Sequence, residues 1–466
     1  MPVLKAQGKS FAADVPILIV GAGACGCSAA LAANERGADV LILERDARPR
    51  GNTSLSGGQI PAAGTKLQKA AGLLDDTAEI LARDLIDKAH GECDVELARH
   101  IAAESARTVD WLVDGYRMPL SCILDFVYPG HSKPHMHASP SRFGAELHAV
   151  FLASVERERI PIATSALVSD LFAGEDGRIF GVRVKRPDGG IEDIGCLALI
   201  LACNGYGGNK AMLAKYIPEI AAAHYHGHAG NDGDAVRWGE ALGASIKDMG
   251  AFQGHGAVTT PHNIHLSWPT ITEGGFQVNR HGLRFSNENQ GYSEQALHVL
   301  RQPGQVAWTI WDERCQEIAM TLHSHVEALR AGAIKCHASV AELAQAIGCE
   351  VAPLTATVSD VAGCVLGKKK DAFGRDFSDK PPLGPPYYMA KVTGALFHTQ
   401  GGLEVDARAR VLKRDGPPFP NLFAGGGAAR GLSGPSDWGY LSGSGLLMAT
   451  NLGRLAGESA AELAKR

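Results

Sequence analysis

Residues 17–44 decide the fold, and they read ILIV (17–20), GAGACG (21–26), an Ala-rich stretch to Arg36, and DVLIL (39–43) before Glu44. The order of strand, glycine turn, helix and strand predicts a βαβ unit that binds a dinucleotide. Gly21 permits the tight turn, Gly23 lets the backbone approach a pyrophosphate, and Gly26 lets helix and strand pack closely.

The groups around this turn predict how the dinucleotide is oriented. Free N–H groups and the helix dipole at Ala24 and Cys25 favour an anion, so we expect the pyrophosphate there. Glu44 is placed to accept hydrogen bonds from ribose hydroxyls. Its charge also repels a 2′-phosphate, which disfavours NADP.

Length and composition bound the possible functions. A chain of 466 residues is too long for one compact core and predicts two domains. The formal net charge of −5 gives no reason to expect a nucleic-acid partner. The sequence contains no apolar run long enough for a membrane span and no signal-peptide core, so we expect a cytoplasmic protein. Its ten cysteines lack haem or iron–sulfur spacing, and we expect them to be reduced.

Further glycine-rich strand ends predict a discontinuous nucleotide domain. A buried strand at 196–202 ends in CNGYGGN (203–209), and similar elements return at 421–427 and 442–445. Between about residues 244 and 398 the sequence instead predicts a hairpin-like segment, a strand and amphipathic helices. We therefore predict a nucleotide domain at 1–246 and 396–466, with a capping substrate domain inserted at 247–395.

Five motifs in order resemble one superfamily over nearly the whole chain: GNTSLSGG (51–58), ACNG (202–205), VNRHGLRFSNE (278–288), HTQGGL (398–403) and NLGRLAG (451–457). The resemblance is to the FAD-dependent fumarate reductase and succinate dehydrogenase flavoproteins. It implies an α/β fold, with a Rossmann-type FAD-binding domain and an inserted α+β capping domain. The loop at 51–58 has no histidine, so we expect non-covalent FAD. Gly427 departs from the family, which often has Glu there.

The fingerprint and the resemblance together predict a set of FAD-binding residues. They are Gly21, Gly23, Ala24, Cys25, Gly26, Glu44, Arg45, Asn52, Thr53, Ser54, Ser56, Gly57, Gly58, Val168, Ala202, Cys203, Asn204, Asn209, Asp234, Gly426, Gly427, Ser442, Gly445 and Leu446.

The substrate positions depart from a fumarate reductase. The resemblance implies two histidines, which fall on His255 and His398, and two arginines, whose positions here are Tyr292 and Tyr440. Arginine binds a carboxylate with two hydrogen bonds, whereas tyrosine donates only one. The change favours a neutral ketone, and it resembles the 3-ketosteroid Δ1 and Δ4 dehydrogenases of this superfamily. Tyr440-Leu-Ser442 looks most like the Δ4 branch.

The resemblance implies a mechanism for desaturating a cyclic ketone, either a 3-ketosteroid or a smaller cyclohexanone. Tyr440 and an N–H near Ser442 to Ser444 polarise the carbonyl, Tyr292 removes the α proton, and the β hydrogen leaves as hydride to flavin N5. An unperturbed tyrosine is a poor base at neutral pH, so we expect a helper. Candidates are Tyr116, Tyr128, His255 and His398.

Other interpretations stay open from the sequence. A relative of fumarate reductase or tricarballylate dehydrogenase would act on a carboxylate, with Arg430 as a possible anchor. A non-catalytic flavoprotein would pass electrons to a partner. The electron acceptor and the oligomeric state are unknown. Two histidine clusters, at 131–137 and 224–228, lack the companion ligands of typical metal sites. We expect no metal there, and instead solvated or flavin-adjacent loops.

Overall fold

The computed structural model describes residues 3–377 and 379–465. Four residues lie outside the described part. Residues 1, 2 and 466 belong to the predicted nucleotide domain, and Ser378 belongs to the predicted cap. The strands are β1 (Val3–Lys5), β2 (Ala13–Val20), β3 (Val40–Leu43), β4 (Gln59–Pro61), β5 (Ser121–Cys122), β6 (Met136–Ala138), β7 (Ile162–Ala163), β8 (Leu167–Ala173), β9 (Ile179–Lys185), β10 (Ile191–Leu201), β11 (His224–Tyr225), β12 (Ile246–Lys247), β13 (Phe252–Thr259), β14 (Phe276–Val278), β15 (Ala307–Asp312), β16 (Ile334–His337), β17 (Tyr387–Thr399), β18 (Gly402–Leu403), β19 (Arg410–Leu412) and β20 (Pro418–Ala424).

The helices are α1 (Ala24–Glu35), α2 (Asn52–Leu55), α3 (Lys66–Ala70), α4 (Ala78–Lys88), α5 (Val95–Tyr116), α6 (Gly144–Arg157), α7 (Lys210–Tyr216), α8 (Asp234–Leu242), α9 (Pro269–Thr272), α10 (Tyr292–Leu300), α11 (Glu313–Ala319), α12 (His323–Arg330), α13 (Val340–Ile347), α14 (Val351–Val365) and α15 (Ser444–Ala464). Helices α1 and α15 lie against the central strands of the main sheet, and α10 packs on the second sheet. No helix within the described residues is both long and apolar enough to cross a membrane.

The main sheet is built on the predicted βαβ unit. Strand β2 pairs in parallel with β3 on one side and β10 on the other, and β20 also joins β10 in parallel. Residues 17–19 of β2 are fully buried, as expected for a strand covered on both faces. Strands β8 and β9 form an antiparallel extension of β10. The predicted α/β architecture is therefore confirmed.

The terminal helix α15 lies directly against α1 of the fingerprint. A Cβ atom at Gly453 would overlap the carbonyl oxygen of Cys25, and one at Gly457 would overlap that of Ala29. The glycines of the NLGRLAG motif thus let the two helices approach until their backbones touch. Such contact brings the loop before α15 to the same edge of the sheet as the glycine turn.

A second, mainly antiparallel sheet forms the cap around the long strand β17. This strand pairs with β13, β15 and β16, and β11 adds a short parallel pairing at its end. Helix α10 packs on β13 and β17. The predicted domain boundary at residue 395 falls inside β17, so one continuous strand belongs to both regions. The division into domains itself stays a prediction.

Buried charges explain the VNRHGLRFSNE motif. Glu288 accepts bonds from Arg284 Nη2 at 2.8 Å, from Arg375 Nη1 at 3.1 Å and from the Gln277 amide at 3.0 Å. A buried carboxylate needs such partners because its desolvation is costly. The network fixes the chain just before α10, whose first residue is Tyr292.

Candidate active site

One cleft runs from the glycine turn of the main sheet to the cap. Most of the predicted site residues line it. They are Gly21, Gly23, Ala24, Cys25, Glu44, Arg45, Asn52, Thr53, Ser56, Gly57, Gly58, Tyr128, Val168, Ala202, Cys203, Asn204, Asp234, His255, Tyr292, His398, Gly426, Gly427, Tyr440, Ser442, Gly445 and Leu446.

The fingerprint end of the cleft is made mainly of backbone. A Cβ atom at Gly26 would overlap the carbonyl oxygen of Gly21, so the third glycine is required for helix and turn to pack. The Ala24 amide donates to Thr53 Oγ1 at 3.0 Å, which ties the helix start to the 51–58 loop. The Glu44 carboxylate accepts from the amides of Ala22 and Asp46, both at 3.0 Å. These bonds hold its two oxygens at the edge of the cleft.

Several predicted residues do not line the cleft. Tyr116 as a helper for Tyr292 is wrong. It is the last residue of α5, its hydroxyl donates to Glu35 Oε1 at 2.6 Å, and it does not line the cleft. Asn209 does not face it either, since its side chain caps α7 through the Met212 amide at 3.1 Å. Ser54 donates to the Gly51 carbonyl at 2.9 Å.

Three other candidates act beside the cleft rather than in it. Gly26 packs beneath the turn, and Ser444 is buried at the start of α15, where its hydroxyl lowers the pKa of Tyr440. Arg430 is no carboxylate anchor, because it is paired with Asp248 at 2.5 Å and Asp94 at 3.1 Å and does not line the cleft.

The cap end of the cleft is built from side chains. The rings of Tyr292 and Tyr440 lie next to each other, with centroids 6.2 Å apart and planes tilted by 58°, and Tyr128 meets Tyr292 edge-on at 6.1 Å. Tyr292 begins α10 of the cap, whereas Tyr440 precedes α15 of the main sheet. The structure therefore brings together two phenols that are far apart in sequence.

Burial keeps these phenols protonated. It raises the pKa of Tyr292 well above its usual value, and the neighbouring Tyr440 adds to the shift while the Ser442 hydroxyl opposes it. Burial also raises the pKa of Tyr440 to about 12 against the opposing amides of Gly445 and Gly443. The pKa of Tyr128 likewise rises to about 12 through burial. Tyr440 is thus a strong candidate for a permanent hydrogen-bond donor.

The two predicted histidines are neutral. Burial lowers the pKa of His255 well below its usual value, and its ring lies stacked between Tyr292 and Phe397, with both centroid distances 5.0 Å. Burial lowers the pKa of His398 to about 4. Gln400 Nε2 donates to His398 Nδ1 at 2.8 Å while its Oε1 accepts from Ser433. His398 Nδ1 also lies 3.3 Å from the Thr399 carbonyl oxygen, but the shorter contact with the Gln400 donor favours the tautomer with its proton on Nε2.

The sequence did not reveal the apolar walls at this end. His265, Trp268 and Phe397 line the cleft and pack around His255 at centroid distances of 5.0–5.6 Å. Phe397 could have been found, since it precedes His398 on the same strand. His265 and Trp268 lie in a connecting segment with no local signal.

The two histidine clusters have different environments. His226 and His228 line the cleft, as expected for a flavin-adjacent loop. For the first cluster the expected solvated or flavin-adjacent loop is wrong. His135 and His137 are 1% and 0% exposed, His131 is partly buried, and none of the three lines the cleft.

The fold and the cleft define a dinucleotide-binding protein, because the glycine turn, the amides at the start of α1 and Glu44 provide what an adenine dinucleotide requires. A family model described as "FAD binding domain" matches residues 16–446. The chain belongs to this family, and FAD is its cofactor.

Relatives of the chain differ in their named substrates. It is 31% identical to a probable fumarate reductase, Ifc3, of Shewanella frigidimarina over 99% of this chain and 77% of that protein. It is 26% identical to a 4-oxocyclohex-2-ene-1-carboxylate 5-dehydrogenase of Sinomonas cyclohexanicum over 98% of this chain and 95% of that protein.

Solved structures show the same fold. The open conformation of a flavocytochrome c3 fumarate reductase aligns with a TM-score of 0.80 at 29% identity, over 98% of this chain and 80% of that chain. A 3-ketosteroid Δ4-(5α)-dehydrogenase of Rhodococcus jostii RHA1 aligns with a TM-score of 0.78 at 23% identity, over 99% of both chains. At that identity the second likeness concerns the fold alone.

Proposed function

We propose that this FAD-dependent oxidoreductase desaturates a cyclic ketone, either a 3-ketosteroid or a smaller cyclohexanone-type ring. The observation that carries the proposal is the pair of phenols, Tyr292 and Tyr440, at the two positions where the family resemblance implies arginines. A carboxylate would need charged donors there, whereas a ketone oxygen needs neutral ones. One relative is named for a ring ketone of this type.

Charge in the cleft agrees with a neutral reacting group. Among the described residues that line it, the arginines are Arg45, Arg50 and Arg142, and there is no lysine. Arg45 and Arg50 flank the fingerprint end beside Glu44 and the 51–58 loop. Arg142 contacts Asp125 at 2.7 Å and Thr321 of the cap at 2.9 Å. None of them occupies the position of Tyr292 or Tyr440.

The walls of the cap end suit a flat apolar ring. Trp268, Phe397 and Tyr128 present aromatic faces and edges around Tyr292 and His255. Aromatic side chains bind apolar rings through their large buried area, and few polar groups then fix the orientation.

The Tyr440 hydroxyl would hold the ketone oxygen. It stays protonated at neutral pH, and the amides of Gly443 and Gly445 converge on it at the start of α15. Donors placed in this way stabilise the negative charge that develops on the oxygen as the α C–H bond breaks. His398 Nε2–H is a further neutral donor beside Tyr440, at a ring distance of 5.4 Å.

The Tyr292 oxygen, as phenolate, would accept the α proton, and the electron pair of that C–H bond would form the enolate. The β hydrogen leaves with its electron pair, so that a C=C bond forms and the ketone is oxidised by two electrons. Bound FAD supplies the acceptor for this hydride equivalent. Because burial raises the pKa of Tyr292, its phenolate is scarce at neutral pH, and the reverse proton donation is favoured by the same environment.

A carboxylate substrate is the second candidate, of the fumarate reductase or tricarballylate dehydrogenase type. The name of the 31% identical relative favours it. The pairing of Arg430 with Asp248 and Asp94 counts against it, because that cation is already compensated outside the cleft.

The test is anaerobic bleaching of the bound FAD band near about 450 nm by a substrate panel. The panel holds 3-ketosteroids, cyclohexanone-type ketones, succinate and tricarballylate. We expect a ketone to bleach the wild type, and Tyr292→Phe to slow that bleaching by about 10²–10⁴-fold. Tyr116→Phe is the matched control, since it removes a buried phenol outside the cleft. Bleaching by a carboxylate alone, unchanged in Tyr292→Phe, would overturn the proposal.

A further inference from the structure

A compact group of metal-ligating side chains lies beside the cleft. Asp84 comes from α4, while His131 and His135 come from the loop before β6. His131 Nδ1 and His135 Nδ1 are 3.0 Å apart, and His135 Nδ1 is 3.6 Å from Asp84 Oδ2. Asp84 and His135 are only 7% and 1% exposed. The three ligand atoms thus converge on one point without facing solvent freely.

The outer nitrogens of both rings decide where the protons are. His131 Nε2 lies 3.0 Å from the Ser442 carbonyl oxygen, which can only accept, so this nitrogen carries the proton. His135 Nε2 lies 3.0 Å from Asp76 Oδ1, and a carboxylate also only accepts. In neutral rings both Nδ1 atoms are then unprotonated. Two lone pairs and the Asp84 carboxylate face one another, which is repulsive unless a cation lies between them.

We propose that Asp84, His131 and His135 bind a divalent transition-metal cation, with Zn²⁺ the best match. Two imidazole nitrogens and one carboxylate oxygen are ligands that zinc accepts, with a water as the fourth. Tetrahedral zinc with bonds of about 2.0–2.1 Å separates its ligand atoms by about 3.3 Å. The observed separations of 3.0 and 3.6 Å lie on either side of that value. This site departs from the expectation that neither histidine cluster binds a metal.

The three ligand side chains are themselves held by hydrogen bonds with neighbouring groups, as is usual at metal sites. Histidine ligands usually donate their other N–H to a carboxylate or a backbone carbonyl, and here Asp76 and Ser442 provide one of each. The Ser132 amide at 2.7 Å and its hydroxyl at 3.0 Å both donate to Asp84 Oδ2, the oxygen that faces His135 Nδ1, and so fix the position of the ligand atom. Asp76 is held in turn by Gln68 Nε2 at 2.5 Å.

The site would position the catalytic loop rather than take part in the reaction. None of its three ligands lines the cleft. His131 holds the carbonyl of Ser442, whose hydroxyl lowers the pKa of Tyr292. A bound cation would fix the His131 ring, and with it the segment from Tyr440 to Gly445.

Zinc binding to the purified FAD-loaded protein tests the proposal. After treatment with a chelator and its removal, the protein is titrated with zinc chloride in competition with a chromophoric chelator, and metal content is measured by mass spectrometry. We expect about one zinc per chain in the wild type and in His100→Gln, a surface control. His135→Gln should lose it, and Asp76→Asn, which removes only the outer charge, should weaken binding by about 10–100-fold.

Asp84→Asn is the near-isosteric second variant, in case His135→Gln does not fold. Retained flavin absorbance reports folding independently of the metal and of any ketone activity. Equal zinc content in the wild type, Asp84→Asn and any folded His135→Gln would overturn the proposal. The two rings would then share a proton instead, with one of them an imidazolium.

Discussion

The two ends of the cleft are built in different ways. The fingerprint end uses glycines, amides and one carboxylate that lie within a short stretch of chain. The cap end uses side chains from four separate segments, namely Tyr128, His255, Tyr292 and Tyr440. Backbone recognition tolerates most side-chain changes but no added bulk. Side-chain recognition depends on the identity of single polar atoms, and substrate preference can change there while the fold and the cofactor stay the same.

The largest expected effect is the loss of bound FAD on substitution at the fingerprint end. Gly26→Val places side-chain atoms where the Gly21 carbonyl lies, so we expect folded protein without bound FAD. Flavin absorbance per chain after gel filtration measures this. Gly384→Ala is the control, because a Cβ atom there has no neighbour within 4 Å. A folded Gly26→Val protein with full flavin content would contradict the role of backbone packing.

At the cap end, Tyr440→Phe should lower the rate of FAD reduction by ketone by about 10²–10³-fold, as when one oxyanion donor is removed. FAD content should not change, which separates the two ends directly. Stopped-flow absorbance under anaerobic conditions gives the rate. Tyr388→Phe, whose hydroxyl bonds Glu313 on the cap surface, should keep the wild-type rate. Equal rates in Tyr440→Phe and the wild type would show that the Tyr440 hydroxyl does not hold the ketone oxygen.

The raised pKa of Tyr292 predicts a pH dependence for the cap end only. Desaturation needs the phenolate, so its rate should rise about tenfold per pH unit from pH 7 upward, whereas reduction of the unsaturated ketone needs the phenol and should stay level. Single-turnover rates in both directions measure this. A desaturation rate that is already constant near pH 7 would show that a bound group lowers the pKa of Tyr292.

The smallest expected effect concerns Arg142 at the edge between cap and main sheet. Arg142→Met should raise KM about tenfold for a ring ketone that carries a carboxylate, and leave KM for an uncharged ketone unchanged. Steady-state kinetics on the two substrate types measure the difference. Equal changes for both would mean that the arginine acts only through its contacts with Asp125 and Thr321.

The sequence could predict the fingerprint end because its determinants are local. The spacing of Gly21, Gly23 and Gly26 and the position of Glu44 are enough to define a backbone turn and one carboxylate. Tyr292 and Tyr440 were also accessible, since each lies at a fixed distance from a motif. Both residues line the cleft, in agreement with those counts.

The remaining features depend on contacts between distant segments. Tyr116 has the chemistry of a helper, but it lies at the end of α5, where its hydroxyl donates to Glu35 of the distant helix α1. Arg430 has the chemistry of a carboxylate anchor, but its guanidinium is already ion-paired with Asp248 and Asp94. The meeting of His131 and His135 with Asp84 joins a loop to a helix about fifty residues away. No periodicity or spacing within one segment contains that information.

Strand β17 has a mechanical consequence. Its 13 residues begin among the cap strands and end at His398 and Thr399 in the cleft, with no loop between. It is held against β13 by a register of Gln253 with His398 that shifts at two irregularities. Because β17 is continuous, any displacement of the cap strands relative to the main sheet would also displace the His398 ring. The position of the His398 donor is therefore tied to the position of the cap strands.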